Sequence, residues 1–291
     1  MCYFNQKDAL AFAEGAPILS AMSRPGTLLT ALFAAVLSSC GTVHFPTVDD
    51  QAASFSAYQN DRIRGESIER FILRRTIPLL PSSGTTEMLL AIEKDGAGQW
   101  DPVSGSALAT AISRDGYFLT ADHVVGRFPP FHARAADDGL VISSGRTVKR
   151  FPSLDLAIIK FEGVGSRHFE VAPAPPGKGE ILFSGGPSGI VVNDRGPRRF
   201  FAAGPVTRSR TFQSRGLSGW RTSIEIPNRP GSSGGPALDG EGRLCGIIVA
   251  GRYGRFAKRE KPVTYSTMLD MNSIQKIISE DRAKQKTSPE S

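Results

Sequence analysis

Three segments of the chain carry residue types that together make a nucleophilic centre. His123 stands in GSALATAISRDGYFLTADHVV (105–125), Asp155 in LDLAIIKFEG (154–163), and Ser233 in NRPGSSGGPALDGEGRLCGIIVAG (228–251). A serine hydroxyl is a weak nucleophile alone: it needs a base to take its proton, and the base needs an orienting carboxylate. The oxyanion formed when the hydroxyl attacks a carbonyl needs preorganised donors. The run Gly231-Ser232-Ser233-Gly234-Gly235-Pro236 suits that need. Glycine at 231 lets the backbone turn so that its N–H and that of Ser233 point the same way, and Gly234 and Gly235 remove side chains beside the hydroxyl. Singly, each residue has an ordinary reading: a structural histidine, a turn aspartate, a flexible loop. Together, each in a fitting local context, they point to acyl transfer.

Short apolar runs punctuated by Gly, Pro and Asp surround these residues: EMLLAIEK, SALATAIS, YFLTA, LAIIKF, ILFSG and RLCGIIVAG. They predict an all-β fold, a barrel or a sandwich. Gly 31 and Pro 20 among 291 residues favour turns over a helical bundle. At 40% hydrophobic and 22% charged, the chain has an ordinary globular composition. A terminal helix is predicted over 272–283, capped by Asn272 with Ile274, Ile277 and Ile278 on one face, followed by a disordered tail over 284–291. Residues 40–85, with the mixed-charge segment NDRIRGESIERFILRR and the Pro-rich IPLLPSSG, are expected to be a tether with one short helix.

Residues 105–283 resemble the protease domain of the Deg/HtrA-type trypsin-like serine proteases. DGYFLTADHVV is similar to that family's histidine motif, LDLAIIK to its aspartate motif, and NRPGSSGGPALDGEGRLCGI to its serine motif. The resemblance implies two packed six-stranded antiparallel β-barrels followed by the helix, with the protease domain over 86–283. The site would lie between them, His123 and Asp155 on the first barrel and Ser233 on the second. It implies His123 as general base and then acid, Asp155 holding its tautomer, Ser233 forming the acyl-enzyme, and the amides of Gly231 and Ser233 as oxyanion hole. The substrates implied are proteins or peptides, with no cofactor and no metal. The specificity pocket is expected at Pro227, six residues before the serine, walled by Ala250 and Gly251. Its neighbours Ile226, Asn228 and Arg229 offer no acid for a basic side chain, so small or medium apolar residues are expected there. Two departures stand out: Ser232 replaces the family's usual Asn, and the acid Asp122 adjoins His123. No PDZ domain is expected after the helix. Oligomeric state is left open, trimers being common in the related family. The competing readings are a non-catalytic binding or scaffold protein on the same fold and an esterase with the same triad.

From Met22 the chain reads MSRPGTLLTALFAAVLSSCGT, a basic residue (Arg24), an apolar stretch over 28–37 and then Ser-Ser-Cys40. This resembles a bacterial lipoprotein signal. It implies a start at Met22, removal of 1–39, and lipid on Cys40. The product would be a periplasm-facing lipoprotein in the cell envelope, and Gly41 favours the outer membrane. Cys2, Cys40 and Cys245 show no metal spacing, and Cys245 reads as a buried strand residue. His44, His132 and His168 read as surface residues. The net charge of +7 is partly clustered at Arg195, Arg198, Arg199, Arg208, Arg210 and Arg215. No aromatic interleaving accompanies them, which argues against nucleic acid. The ordinary reading of such a charge is solubility; the cluster also suits an acidic polymer, lipid head groups or an acidic substrate.

Overall fold

The runs YFLT and LAIIK are apolar up to their last residues, Thr120 and Lys160, because both faces of their strands are covered. In the computed structural model they are β5 (Tyr117–Thr120) and β9 (Leu156–Lys160), antiparallel neighbours buried throughout. Alternation splits their side chains. Tyr117, Leu119, Leu156 and Ile158 join the main core, while Phe118, Ala157 and Ile159 join a smaller cluster with Phe161 and Val125. The structure describes residue 46 and residues 48–80, 107–125, 131–136, 139–164, 167–188, 198–214, 216–229, 231–252 and 262–287.

In chain order the elements begin with α1 (Val48–Phe55), β1 (Arg62–Ile63), β2 (Glu66–Ser67), α2 (Ile68–Leu73), β3 (Thr76–Leu80) and β4 (Ala107–Ala111). After β5 come α3 (Asp122–Val125), β6 (Phe131–Ala136), β7 (Gly139–Ser144) and β8 (Arg146–Phe151), then β9. The second half holds β10 (Ile181–Ser188), β11 (Arg198–Ser214), β12 (Leu217–Ile224), β13 (Pro236–Leu238), β14 (Leu244–Arg252), β15 (Val263–Leu269) and α4 (Met271–Thr287). The order β10-β11-β12-β15-β14-β13 closes into an antiparallel barrel of six strands, as expected of the second half. The first half differs from the expected six-stranded barrel: its described strands form one sheet of seven, ordered β7-β6-β3-β4-β5-β9-β8.

Strand β3 comes from the segment expected to be a tether, and that expectation is corrected. Phe55, Ile63, Ile68, Phe71 and Ile72 are all buried in the main core, with Phe71 against Phe169 and Phe55 against Phe183 and Phe201. The charges that disguise this segment pair outward, Arg64 with Glu170 and Glu66 with Arg74 and Arg167. The segment EMLLAIEK and Cys2, Cys40 and His44 lie outside the described residues.

The terminal helix buries Ile274, Ile277 and Ile278, as its pattern predicts. Its start and end differ from expectation. Asp270 caps it, its Oδ1 accepting from the Ser273 N–H at 2.8 Å, and Asn272 lies inside the first turn. It continues to Thr287, through the first part of the expected tail. Asp281 fixes it to the first sheet by two hydrogen bonds from Arg146 and one of 2.7 Å from the Tyr117 hydroxyl.

Candidate active site

His123 is delivered by a strand, a turn and a strand. β4 and β5 pair across the Arg114-Asp115-Gly116 turn, and β5 runs straight into the single-turn helix α3. Asp155 arrives from the neighbouring edge. A 3₁₀ turn (Pro152–Leu154) precedes it, and its own backbone is left-handed, with φ 49° and ψ 46°. Such a conformation costs a non-glycine residue on the order of 1 kcal/mol, least for Asn and Asp, and it clusters at functional sites. The aspartate is thus both turn residue and site residue.

The two meet closely. Asp155 Oδ2 lies 2.7 Å from His123 Nδ1, and its Oδ1 accepts from the His123 backbone N–H at 2.9 Å. On the other side of the ring, His123 Nε2 lies 3.1 Å from Ser233 Oγ. The sequence-predicted His123, Asp155 and Ser233 are therefore one hydrogen-bonded line from carboxylate to hydroxyl. The histidine side chain is half exposed and the aspartate one-third exposed, so the line is open to solvent.

The serine loop is braced from several sides. Ser232 donates its hydroxyl to the Arg229 carbonyl at 2.7 Å, and its N–H to the same oxygen at 3.1 Å. The N–H of Gly235 donates to the Ser232 carbonyl at 2.9 Å, and Gly234 N–H to the Ile248 carbonyl at 2.8 Å. The N–H groups of Gly231 and Ser233 have no such acceptor among the described residues. Gly231 has φ +97°, a value that an L side chain rarely adopts.

Asp122 is not turned toward the ring of its neighbour. It is buried, and Arg150 on β8 donates to it from Nε at 2.6 Å and from Nη2 at 2.9 Å. The guanidinium is in turn held charged by this carboxylate, its pKa raised.

Of the residues expected to shape a specificity pocket, Pro227 is buried in the loop before the serine, while Ala250 and Gly251 are exposed on β14. A residue that spacing alone passed over is more informative. Asn228, only 2% exposed, has no hydrogen-bond partner for its amide oxygen or its amide nitrogen among the described residues. Its sequence signal is only a polar side chain five residues before the serine. Cys245 is a buried strand residue whose thiol burial pushes well up. His168 is half-buried instead of on the surface, and burial lowers its pKa.

Residues 105–247 match the family of the trypsin-like peptidase domain. No curated protein is detectably similar to the chain. Similar solved structures include an inactive-form mutant of Rv3671c from M. tuberculosis H37Rv, 14% identical with a TM-score of 0.46, covering 86% of this chain and 99% of that one. The apo MamO protease domain from Magnetospirillum magneticum is 18% identical with a TM-score of 0.46, covering 72% of this chain and 97% of its own.

Proposed function

We propose that this chain, which carries a trypsin-like peptidase domain over residues 105–247, is a serine endopeptidase acting through His123, Asp155 and Ser233. The observation that carries the reading is the continuous line from Asp155 through His123 to Ser233, with contacts of 2.7 and 3.1 Å.

With a peptide carbonyl over Ser233, His123 Nε2 takes the Oγ proton as Oγ bonds to the carbonyl carbon. The carbonyl oxygen becomes an oxyanion at the amides of Gly231 and Ser233. One such donor contributes roughly 3 kcal/mol to transition-state stabilisation. His123 then gives its proton to the leaving nitrogen, and the C–N bond breaks to leave an acyl-enzyme. Water repeats the sequence with His123 as base, releasing the acid and restoring Ser233. Asp155 keeps Nδ1 protonated and the ring in place throughout. The scheme uses no cofactor.

A peptide substrate also has a place to lie. β14 meets the serine loop through Ile248, whose N–H donates to Gly235 O and whose carbonyl accepts from Gly234 N–H. Beyond it, residues 249–251 have no backbone partner on that side among the described residues. An extended chain can add there as a strand, which favours a protein over a small ester as substrate. The lipid anchor on Cys40 and the envelope location belong to this proposal and rest on residues 22–41 of the sequence.

The test is a fluorophosphonate probe together with casein digestion. Wild type is expected to take the label and cut casein, and Ser233→Ala to do neither. Undiminished casein cleavage by purified Ser233→Ala overturns the assignment. Hydrolysis of a short-chain ester without casein cleavage overturns the protein substrate. For the anchor, wild type made in a bacterial host should incorporate palmitate and Cys40→Ala should not.

A further inference from the structure

We propose that the outer face of the barrel beside the serine loop docks an acidic segment of the polypeptide substrate, through Tyr265, Arg208, Arg210 and Arg221. The inference rests on the endopeptidase reading for its occupant, and on the sheet register for its place.

Cross-strand pairing sets one row over four strands: Ala250 on β14 opposite Tyr265 on β15, Tyr265 opposite Ser223 on β12, and Ser223 opposite Arg208 on β11. The row faces outward. Ala250, Tyr265 and Arg208 are exposed, whereas the alternating neighbours Thr264, Ser266, Thr222 and Ile224 are buried. Tyr265, at 37%, is the one large apolar side chain exposed among the described residues. Arg210 lies two positions along β11 from Arg208 and sits directly opposite Arg221.

Like charges facing each other across a strand pair destabilise a sheet. No carboxylate pairs with Arg208, Arg210 or Arg221 among the described residues. Among the described residues this surface thus holds a cluster of guanidinium groups without a carboxylate partner, and guanidinium groups take carboxylates in bidentate pairs. Its position ties it to the site. Arg221 donates to the carbonyl of Ser153, two residues before Asp155, and Ala250 belongs to the open edge of β14 where a substrate strand can add. With strands about 4.8 Å apart, β11 lies roughly 14 Å from β14, which an extended chain spans in about four residues. A run of Asp or Glu about four to six positions from the strand-paired residue reaches the arginines. The neighbouring open edge of β14, which a polypeptide strand can pair with and a lipid head group cannot, favours a polypeptide occupant over a membrane surface.

The test compares two labelled peptides that differ only in a flanking run of glutamates or of serines, bound to the full-length Ser233→Ala protein and followed by fluorescence anisotropy. The acidic peptide is expected to bind roughly tenfold tighter at low salt. That advantage should vanish at high salt and in the added Arg208→Glu/Arg210→Glu pair, with thermal melting showing that the pair still folds. Wild type should show the same tenfold preference in kcat/KM. Equal binding of the two peptides, or a preference that survives charge reversal, overturns the proposal. So does capture by phosphatidylglycerol vesicles through the same arginines without discrimination between the peptides. Binding preference without cleavage of either peptide by wild type would leave the strip standing and sink the endopeptidase reading instead.

Discussion

Leu108 on β4 donates its backbone N–H to the carbonyl oxygen of Ser233 at 2.8 Å. The sheet that carries His123 and Asp155 therefore holds the backbone of Ser233. Thr110 adds a hydroxyl hydrogen bond to the Gly234 carbonyl at 2.8 Å, and Thr120 ties down the Leu108 carbonyl at 2.7 Å. The 3.1 Å contact between ring and hydroxyl depends on this brace as much as on either side chain.

Gly234 is where the brace admits least change. A Cβ there would fall 1.8 Å from Leu108 O, and its φ is +84°. Neither backbone can yield without parting the loop from β4. Gly234→Ala is expected to cost about 2 kcal/mol or more in stability and to reduce kcat by several orders of magnitude. Urea unfolding and peptide turnover measure the two. A variant of wild-type stability and rate would show that the brace is dispensable.

The pair of Asp122 with Arg150 yields a second expectation. Arg150→Ala leaves a buried carboxylate without its partner. The loss would be about 3 kcal/mol for a fully buried pair, and the exposure of Arg150 reduces it to about 1–2 kcal/mol. Asp122→Asn should keep the pH profile of kcat/KM, because its carboxylate is engaged by Arg150. Asp155→Asn should instead lose roughly 10⁴-fold in kcat, the effect of fixing the wrong tautomer. A pH profile displaced equally by both variants would mean that Asp122 also acts on the ring.

The histidine, aspartate and serine were legible in the sequence because their chemistry demands particular residue types, and each sits in a turn that glycine or a following strand makes visible. The strands β5, β9 and β14 were legible as apolar runs. The segment over 48–80 was not, because Arg64, Glu66 and Arg74 give it a solvated look; their partners, Glu170 and Arg167 among them, are distant in sequence. The helix cap was misplaced by two residues because Asp270 and Asn272 are both good caps, and only the hydrogen bond to Ser273 separates them. The buried amide of Asn228 is a tertiary fact with no local signature.

Stability should depend on pH through the contact of α4 with the first sheet. Arg146 beside Asp281 holds that carboxyl below the usual range. Its contribution is present above the ordinary carboxyl pKa of about 3.9 and is lost as pH falls through the lower folded value. Tyr117 behaves oppositely. Burial, then the hydrogen bond to Asp281, pushes its phenol up to about 12. The folded state keeps the proton more tightly, so this contribution is present below the ordinary value of about 10 and is lost as pH rises toward 12. Tyr117→Phe should remove the alkaline loss and keep the acid one, while Asp281→Asn should blunt both. Urea midpoints across pH test this, and an alkaline loss that persists unchanged in Tyr117→Phe contradicts it.

The N-terminal segment sets how much of the chain an active enzyme needs. A chain beginning at residue 82 lacks Phe55, Ile63, Ile68, Phe71, Ile72 and strand β3. At about 1.5–3 kcal/mol per large apolar side chain, that loss is as large as the whole stability of an ordinary domain. Such a chain should not fold, whereas one beginning at residue 46 should fold and turn over. No internal cut should be needed, because the Ser232 hydroxyl already closes the serine loop on Arg229 in the intact chain. Intact-mass measurement of the active protein decides the point. Activity confined to a cleaved form, or a fully active chain from residue 82, would overturn it.

Asn228 joins stability to selectivity. A buried amide with neither group hydrogen-bonded costs about 1–3 kcal/mol relative to an apolar residue of the same shape. Both atoms are closed to solvent in the free protein, so a substrate meets them only if the loop before Ser233 opens, and the amide then gains the partner it lacks. Asn228→Leu keeps the branching at Cγ, adds some volume and removes the polar atoms. It should therefore raise the urea midpoint of the free protein. It should also lower kcat/KM for substrates with a hydrogen-bonding side chain at the cleaved position, by about tenfold or more, since an unpaired polar group on the substrate then replaces the one on the enzyme. Apolar residues at that position should be cut as well as before. Profiling new termini in a digested proteome, wild type against Asn228→Leu, reads the second effect directly. A variant that is less stable, with an unchanged cleavage profile, would show that the amide has a structural partner in the free protein and faces no substrate.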